Sequence, residues 1–384
     1  MTRIAIIGGG IGGLTAGIAL QGAGYTPIIF ERADQFGEVG AGISLSPNAV
    51  KGLEMLGFGE FLKTHANEPL DQFLLHGLTG ELLLRYDRRT CRETYGAAYY
   101  QMHRADLLAG LVAQFGAENC RMGRSLHGLE QSKTEVRLHF DADRNEAADI
   151  VIAADGLRSV VRDLLFDTPA PQFSGHIAWR ALVPAAALGP RAVERSNINH
   201  IGPGQNLVTY PVRGTGLVNI VALTRAAGWT EESWNAKAAP SELAALFEGW
   251  TDYVQEAIGA IDEDALYRWG LFIRAPLERW VKGRAALLGD AAHPMLPYMG
   301  QGASSAIEDG VVLGRCFAEC DDPREALAVY ERARVERCAL LQAESNAGGD
   351  RLQALDPYVL RDNPPKNEDA LGIFAYDPSR AVLA

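Results

Sequence analysis

The chain has 384 residues, of which 47% are apolar and 22% are charged, and its formal net charge is −12. The apolar share excludes a disordered chain, and the length predicts two or three domains. The acidic charge argues against nucleic acid as a partner, although one well-placed arginine can still attract an anionic substrate.

The first elements form a strand–helix–strand unit. A buried strand is predicted at residues 3–7, a helix at 14–21 and a second strand at 26–30, with a glycine-rich turn after the first strand. The first apolar run is too short for a signal peptide. A βαβ unit of this length implies a parallel sheet.

The rest of the chain alternates between two kinds of pattern. Residues 171–225 contain strand-like segments separated by glycine turns, which predicts an antiparallel sheet in a second domain. Short apolar strands at 149–154 and 285–288 return to the parallel-sheet pattern, and the composition of residues 357–384 predicts a loose tail. Helices are predicted at residues 48–62, 105–115, 241–260, 302–319 and 323–347.

The five cysteines are irregularly spaced and form no C-x-x-C pair. We therefore predict free thiols in a reducing cytoplasm and no metal site. No apolar run approaches the roughly 18 residues that a transmembrane helix needs, so no membrane partner is expected.

Residues 8–13 contain the pattern G-x-G-x-x-G between the first strand and the first helix. Gly8 permits the tight turn, Gly10 lets the backbone approach a pyrophosphate, and Gly13 lets the helix pack on the strand. Glu31 ends the second strand, where its carboxylate can accept hydrogen bonds from ribose hydroxyls, and Arg32 follows it. FAD and NAD both carry such a ribose, so this segment leaves the choice between them open.

Two further segments accompany the glycine motif. Residues 155–162 are Asp-Gly-Leu-Arg-Ser-Val-Val-Arg, and residues 284–294 are Arg-Ala-Ala-Leu-Leu-Gly-Asp-Ala-Ala-His-Pro. Together the three segments resemble the fingerprints of the single-component flavoprotein aromatic hydroxylases, and the resemblance extends over residues 3–345. In these motifs the chain is most similar to salicylate hydroxylase, 3-hydroxybenzoate 6-hydroxylase and 6-hydroxynicotinate 3-monooxygenase.

The resemblance implies an α/β fold in two interleaved domains. One is a Rossmann-like FAD-binding domain of the glutathione-reductase type, and the other is a substrate domain built on a mixed or antiparallel sheet, with a C-terminal helix after them. The expected ranges are 1–70, 98–170 and 275–345 for the FAD-binding domain, 71–97 and 171–274 for the substrate domain, and 346–384 for a C-terminal tail.

The resemblance also implies roles around FAD. Asp290 is expected to accept hydrogen bonds from ribityl hydroxyls, Arg104 to lie near the pyrophosphate or the ribityl chain, and Asp155 to support both FAD and the nicotinamide donor. The residues themselves leave alternatives: a helix cap for Asp290, a surface salt bridge for Arg104 and a plain turn for Asp155.

A glycine-bearing loop follows Asp290. Gly300, Gln301 and Gly302 open the next helix, whose N–H groups and dipole could stabilise negative charge on the flavin pyrimidine ring. Pro297 matches the proline that lies beside the flavin near its oxygen-reacting carbon. His293 matches a position that shapes the loop, so a structural role is expected.

On the substrate side, residues 206–213 resemble a strand that reaches the pocket. The 3-hydroxybenzoate enzyme has a histidine base where this chain has Asn206, and the 6-hydroxynicotinate enzyme has a histidine where it has Ser44. Either the substrate needs no side-chain base, or it binds already ionised, or another group acts. Tyr210 is the expected hydrogen-bonding and catalytic partner of the substrate, and Trp179 and Tyr298 are further pocket candidates.

The function implied is that of an FAD-dependent monooxygenase. NAD(P)H, with NADH favoured, reduces FAD, and O2 then gives a flavin C4a-hydroperoxide that hydroxylates a small aromatic or N-heteroaromatic acid or phenol. One alternative is another oxygenation on the same framework, such as epoxidation or hydroxylation of an antibiotic or quinolone, and a second is a non-enzymatic nucleotide-binding sensor. We expect a monomer or homodimer.

Overall fold

The computed structural model describes residues 2–37, 41–142, 144–189, 196–229 and 236–383. The strands are β1 (Ile4–Ile7), β2 (Ile28–Phe30), β3 (Gly42–Leu45), β4 (Asp71–His76), β5 (Leu82–Asp87), β6 (Tyr100–His103), β7 (Cys120–Arg121), β8 (Leu126–Gln131), β9 (Val136–Phe140), β10 (Arg144–Ala148), β11 (Ile150–Ala153), β12 (Gln172–Pro184), β13 (Ser196–Gly202), β14 (Gln205–Val212), β15 (Leu217–Arg225), β16 (Ala236–Lys237), β17 (Tyr267–Ile273), β18 (Val281–Lys282) and β19 (Ala285–Leu287).

The helices lie between and after these strands. Within the described ranges, none combines the length and apolarity that a membrane span requires. They are α1 (Ile11–Gly22), α2 (Pro47–Met55), α3 (Gly59–His65), α4 (Cys91–Tyr95), α5 (Arg104–Phe115), α6 (Val160–Leu165), α7 (Pro240–Leu246), α8 (Asp252–Gly259), α9 (Gly302–Glu319), α10 (Pro323–Leu352) and α11 (Val359–Asp362).

A six-stranded sheet with the order β18-β19-β11-β1-β2-β7 forms the first domain. All its pairings are parallel except the edge pair β18–β19, as expected for strands joined by helical crossovers. α9 packs closely on α1, because a Cβ on Gly314 would lie 2.5 Å from that of Ala19. The strand–helix–strand prediction for the start of the chain is confirmed.

The second domain is built on an eight-stranded sheet with the order β16-β17-β12-β15-β14-β13-β4-β5. Its pairings are antiparallel except that β13 runs parallel to β4, so the sheet is mixed. β4 and β5 come from the early part of the chain and the other six strands from the middle, so the two domains are interleaved. The predicted fold class is confirmed.

Alternate residues of this sheet face two different layers, as strand geometry requires. Trp179, Leu207 and Ile220 pack with Phe247 and other residues of the segment that holds α7 and α8. The intervening residues face the first domain, and we call this side the inner face. Ala178, Val221 and Leu223 pack there with Leu296 and Tyr298 from the loop before α9.

Three helical predictions need correction. The helix expected at 48–62 is broken near Gly57, whose φ of 91° lies outside the helical region, so that α2 ends before it and α3 begins after it. The helix expected at 241–260 is likewise two helices, α7 and α8. The last predicted helix extends to Leu352, so α10 crosses the expected tail boundary at residue 346.

The expectation of a loose C-terminal tail is wrong. Ile373 and Phe374 are completely buried, and they pack with Leu341 of α10. The Lys51 ammonium donates to the carbonyl oxygens of residues 374, 375 and 376 at 3.0–3.1 Å. Composition suggested looseness because the apolar residues that anchor the tail are few.

The close contact between α1 and the glycine turn predicts that a side chain at Gly13 would destabilise the fold. A Cβ on Gly13 would lie 2.0 Å from the carbonyl oxygen of Gly8, a backbone atom that cannot rotate away. Gly13→Ala should therefore lower the free energy of unfolding by about 3 kcal/mol. Gly22→Ala is the control, because its Cβ would meet nothing within 4 Å. Thermal unfolding of both variants would contradict the prediction if Gly13→Ala were as stable as the control.

Candidate active site

The glycine turn has the shape of a nucleotide cradle. It follows the carboxyl end of β1, and Gly10 is the N-cap of α1. A Cβ on Gly8 would lie 2.4 Å from the Ala154 carbonyl oxygen, whereas a Cβ on Gly10 would meet nothing within 4 Å. The backbone is thus packed below and open above Gly10, where a pyrophosphate could approach the helix N-terminus.

Glu31 lies beside this cradle. Its Oε2 accepts a hydrogen bond from the Gly9 N–H at 2.7 Å, and its Oε1 accepts one from the Ala33 N–H at 2.9 Å. A carboxylate has about four acceptor positions, so two such bonds fix the group and leave capacity for ribose hydroxyls. Arg32 follows directly and is exposed.

Asp290 lies in a short 3₁₀ turn directly after β19. The Asp290 side chain is accessible to solvent, but many protein atoms lie around it. Their desolvation of the carboxylate raises the pKa of Asp290, while the charges of His293 and Arg104 act in the opposite direction. A Cβ on Gly302 would lie 3.9 Å from Asp290 Oδ1. Asp290 therefore lies beside the first turn of α9, close enough to Arg104 for its charge to act on the carboxyl, and the N-cap of α9 is Gln301.

Asp155 follows β11, next to the glycine turn. Its Oδ2 accepts hydrogen bonds from the N–H groups of Val160 at 2.8 Å and Val161 at 3.3 Å, which fastens the start of α6. Its buried Oδ1 has no hydrogen-bond partner among the described residues. Burial of the carboxyl group in the protein raises the pKa of Asp155. The residue thus stabilises the local turn and keeps one oxygen for a further donor.

The loop before α9 carries Pro297 at the start of a 3₁₀ turn, followed by Gly300 with a left-handed φ of 63°. Gln301 is buried, and its Nε2 donates to Ser46 Oγ at 3.1 Å while its Oε1 accepts from Asn48 Nδ2 at 3.2 Å. Its side chain is therefore engaged within the protein. The predicted contact of Gln301 with a cofactor rests on its backbone alone.

His293 belongs to a buried ionic cluster under this loop. Its Nε2 lies 2.6 Å from Asp309 Oδ2, and the Arg334 Nε donates to Asp309 Oδ1 at 2.7 Å. Ligand atoms of His293, Asp309 and Cys338 lie within 4.8 Å of one another, a spacing that a metal could use. Because Arg334 already places a cation against Asp309, we interpret the group as an ion-pair cluster.

The inner face of the eight-stranded sheet is open over one row. Arg180 pairs with Val221, and Val221 pairs with Val208 on the next strand. All three are partly exposed, whereas Tyr210, in the row on one side, and Asn206, in the row on the other, are buried. The latter two rows are four residues of strand apart, about 13 Å, so the partly exposed row lies midway between two buried ones.

Tyr210 and Ser44 bound this opening on one side. Tyr210 is buried, and its hydroxyl oxygen lies 2.6 Å from where a Cβ on Gly42 would stand. Burial raises the pKa of Tyr210, against the effects of Arg180 and of a hydrogen bond with Ser44. The phenol is therefore protonated at neutral pH. A Cβ on Gly300 would lie 3.9 Å from the Ser44 Cβ, so Ser44 stands between Tyr210 and the loop before α9.

The other predicted pocket residues are distributed differently. Trp179 lies on the helix-covered face, where its Nε1 donates to Thr224 Oγ1 at 2.9 Å, so the structure does not bring it to the opening. Asn206 is on the inner face, but its side chain is bonded to Asn199 and Gln353. Tyr298 bounds the far side, and its buried hydroxyl has no partner in the described parts of the chain.

Sequence reasoning missed Arg180 and Asn219. Arg180 provides positive charge at the opening, and its guanidinium carbon lies 4.8 Å from the centroid of the Trp269 ring. Asn219 Oδ1 accepts the Gly42 N–H at 2.6 Å and so ties β3, which carries Ser44, to the substrate sheet. The alternation of residues 177–183 was the signal for Arg180, because it places Arg180 and Trp179 on opposite faces.

Comparison with known proteins identifies the family of the chain and its cofactor. Residues 1–345 match the family model described as "FAD binding domain". The chain belongs to this family. Its cofactor is FAD, and the residues fit that group: a Cβ on Gly10 would meet nothing within 4 Å, and the Asp290 side chain is accessible to solvent.

Relatives with known activities are similar over nearly the whole flavoprotein. The 3-amino-4-hydroxybenzoate 2-monooxygenase of Streptomyces platensis is 36% identical, with 97% of this chain and 95% of the relative covered. The 6-hydroxynicotinate 3-monooxygenase of Pseudomonas fluorescens is 33% identical, with 98% and 95% covered. The flavoprotein is thus an oxidoreductase of the monooxygenase type, and the alternative of a non-enzymatic sensor falls away.

Solved structures agree with this assignment. The HpxO protein of Klebsiella pneumoniae, complexed with FAD and uric acid, has a TM-score of 0.87 at 28% identity, covering 97% of this chain and 96% of the other. A salicylate hydroxylase substrate complex has a TM-score of 0.85 at 26% identity, covering 100% and 98%. The predicted family resemblance is confirmed.

Proposed function

We propose that the flavoprotein hydroxylates a small aromatic acid, with NAD(P)H and O2 as co-substrates. When bound and reduced, FAD supplies the chemistry that delivers one atom of O2 to the ring and releases the other as water. The observation that carries the proposal is the open row on the inner face, where Arg180 is the charged member. We further propose NADH as the favoured donor, a cytoplasmic location, and a monomer or homodimer.

Arg180 is proposed to bind the substrate carboxylate. A guanidinium presents parallel N–H groups that match the two oxygens of a carboxylate. Its neighbours Val208 and Val221 are apolar and would pack on the ring. A charge pair between two apolar walls is stronger than one in water, so the acid is selected in spite of the net charge of −12.

Tyr210 and Ser44 are proposed to position a polar substituent of the ring. Neither can act as a strong base at neutral pH, since burial raises the pKa of Tyr210 and a serine hydroxyl is not ionised. A ring that carries an amino group needs no such base for activation, because the nitrogen lone pair already donates electrons to the ring. An aminohydroxybenzoate therefore fits these residues better than a hydroxybenzoate without an amino group, whose hydroxyl must first lose its proton.

Pro297 and Tyr298 are proposed to close the opposite side, with Leu296 held in place because its N–H donates to Asn346 Oδ1 at 3.0 Å. A wall of this kind excludes water from the reacting carbon, which would limit the loss of oxygen as hydrogen peroxide before transfer to the ring. Gly300–Gly302 and Asp155 remain proposed cofactor contacts.

A substrate panel tests the proposal. 3-Amino-4-hydroxybenzoate, 3-hydroxybenzoate, 6-hydroxynicotinate and salicylate should each be added to the FAD-loaded protein with NADH or NADPH, and products identified by mass spectrometry. We expect 3-amino-4-hydroxybenzoate to give the highest ratio of hydroxylated product to NAD(P)H consumed. Equal ratios for the phenolic acids would reject the preference for an amino donor, and no product from any of the four would reject an aromatic-acid hydroxylase.

Tyr210→Phe separates the role of the hydroxyl from packing. The variant keeps the ring in the sheet and removes the hydroxyl that we place on the substrate. Hydroxylation should slow by about tenfold, the usual value of one hydrogen bond to a substrate, while flavin reduction by NADH should change little. Stopped-flow absorbance measures the two steps separately. An unchanged rate of hydroxylation in the variant would exclude this role for Tyr210.

A further inference from the structure

Residues 364–383, which we call the C-terminal segment, pack directly beneath the loop that precedes α9. Phe374 is completely buried, and the partly buried Met295 and Met299 pack against its cluster. These two methionines flank Pro297 in the sequence. The C-terminal segment therefore contacts the part of the loop that carries the proposed flavin neighbours.

Cations from three different helices hold this segment by its backbone. Lys51 of α2 donates to three consecutive carbonyl oxygens, those of residues 374–376. Arg315 of α9 donates to the carbonyl oxygens of Pro378 at 3.1 Å and Ala381 at 2.8 Å. Arg337 of α10 donates to the Ile373 carbonyl oxygen at 3.4 Å. Because so many of its carbonyl oxygens accept hydrogen bonds from these side chains, the C-terminal segment is a fixed element of the fold.

Tyr376 then connects the segment to buried charges. Its ring centroid lies 3.7 Å from the guanidinium carbon of Arg337, and its hydroxyl accepts from Arg334 Nη1 at 3.1 Å. Both arginines pair at 2.7 Å with Glu308 of α9, which is completely buried. Burial alone opposes ionisation of Glu308, but the two arginines hold its pKa below the usual value.

Glu308 passes this restraint to the first turn of α9. Asn48 Nδ2 donates to Glu308 Oε1 at 2.6 Å and to Gln301 Oε1 at 3.2 Å. Gln301 is the N-cap of α9, and its other amide atom donates to Ser46. An unbroken series of buried contacts thus runs from Tyr376 to the turn Gly300–Gly302.

We propose that Tyr376 is a positioning residue for the flavin: with Arg337, Glu308 and Asn48, it fixes the first turn of α9 in the orientation that FAD needs. The proposal rests on the FAD assignment but not on the identity of the aromatic substrate. Buried charged networks act as units, because loss of one member leaves the others unsatisfied. Release of the C-terminal segment therefore shifts the turn even though Tyr376 does not itself reach the cofactor.

The test compares Tyr376→Leu with Tyr358→Leu. Tyr358 also lies near the C-terminus, but its hydroxyl donates to Glu81 at the surface, so its variant is the matched control. FAD dissociation constants are measured by fluorescence titration of the deflavinated proteins. Without aromatic substrate, hydrogen peroxide formed per NADH consumed and the rate of NADH oxidation are measured on the loaded proteins.

We expect Tyr376→Leu to weaken FAD binding by about tenfold, the combined effect of one cation–π contact and one hydrogen bond, and to raise substrate-free NADH oxidation. Tyr358→Leu should match the wild-type protein. If Tyr376→Leu does not fold, Tyr376→Phe and Lys51→Met decide by the same criteria, with a smaller shift for the former. FAD affinity and oxidase rate within twofold of wild type in the folded variants would overturn the proposal, whatever the substrate panel gives.

Discussion

Asp290→Ala should yield a folded protein that does not retain FAD. Asp290 is proposed to accept hydrogen bonds from two ribityl hydroxyls, and hydrogen bonds to a charged group are worth about 1.5–3 kcal/mol each. Loss of both corresponds to a weakening of FAD binding by a factor of at least about 100. The purified variant should be colourless, and its flavin content is measured from the absorbance of the denatured protein.

Hydrogen bonds hold the backbone on both sides of Asp290. Arg162 Nη1 donates to the carbonyl oxygens of Ala291 at 3.3 Å and Ala292 at 3.2 Å, and the Gly289 N–H donates to Asp309 Oδ2 at 2.9 Å. The turn is therefore held by its backbone, and the Asp290 side chain is left for the ligand. Because these contacts survive in Asp290→Ala, loss of FAD without loss of stability is the expected combination.

The pH dependence of FAD binding gives an independent check. The surrounding protein raises the pKa of Asp290, and a protonated carboxyl is a weaker acceptor. FAD affinity of the wild-type protein should therefore fall as the pH decreases through that pKa, starting at a higher pH than for an ordinary aspartate. Asp290→Asn should remove this dependence, and Asp264→Ala, at a surface pair with Lys237, should leave it intact.

For the first experiment, the flavin content of Asp290→Ala, purification of the variant with a full complement of FAD would contradict the proposed contact.

The positions of the proposed cofactor motifs in the fold could be predicted from sequence, because each is set by a few neighbouring residues. The spacing of Gly8, Gly10 and Gly13 specifies a turn, and a turn can be recognised from a few neighbouring residues. Asp290 follows a buried strand directly, so its place at a carboxyl edge of the parallel sheet follows from the element order. The separation of these motifs along the chain was no obstacle, since parallel strands bring their carboxyl ends to one edge.

The substrate side could not be predicted to the same extent because it depends on which face of a strand is covered. Trp179 and Arg180 are adjacent, and sequence alone favours the aromatic residue as a pocket wall. α7 and α8 cover the face that holds Trp179, which leaves Arg180 on the inner face. That choice is made by tertiary packing. The burial of Phe374 is likewise decided by a cluster whose other members lie far away in the chain.

Arg180→Met should abolish the preference for an aromatic acid. Methionine keeps an unbranched apolar side chain, close in length to the aliphatic stem of arginine, but carries no charge. Removal of one partner of a desolvated charge pair costs about 2–5 kcal/mol, so KM for 3-amino-4-hydroxybenzoate should rise by a factor of about 100. The comparison substrate is 2-aminophenol, the same ring without the carboxylate. Its KM should change little, because the lost charge had no partner on that molecule.

Arg268→Met is the matched control, since it removes a similar arginine from the opposite face of the same sheet. The guanidinium carbon of Arg268 lies 5.4 Å from the Trp179 ring centroid, and its Nη1 pairs with Glu242 at 2.5 Å. Steady-state kinetics should place this variant close to wild type with both substrates. A KM for the acid that rises equally in both arginine variants would indicate damage to the sheet. An unchanged KM in Arg180→Met would show that the carboxylate binds elsewhere, since no neutral side chain at this position can replace the attraction of a fixed cation.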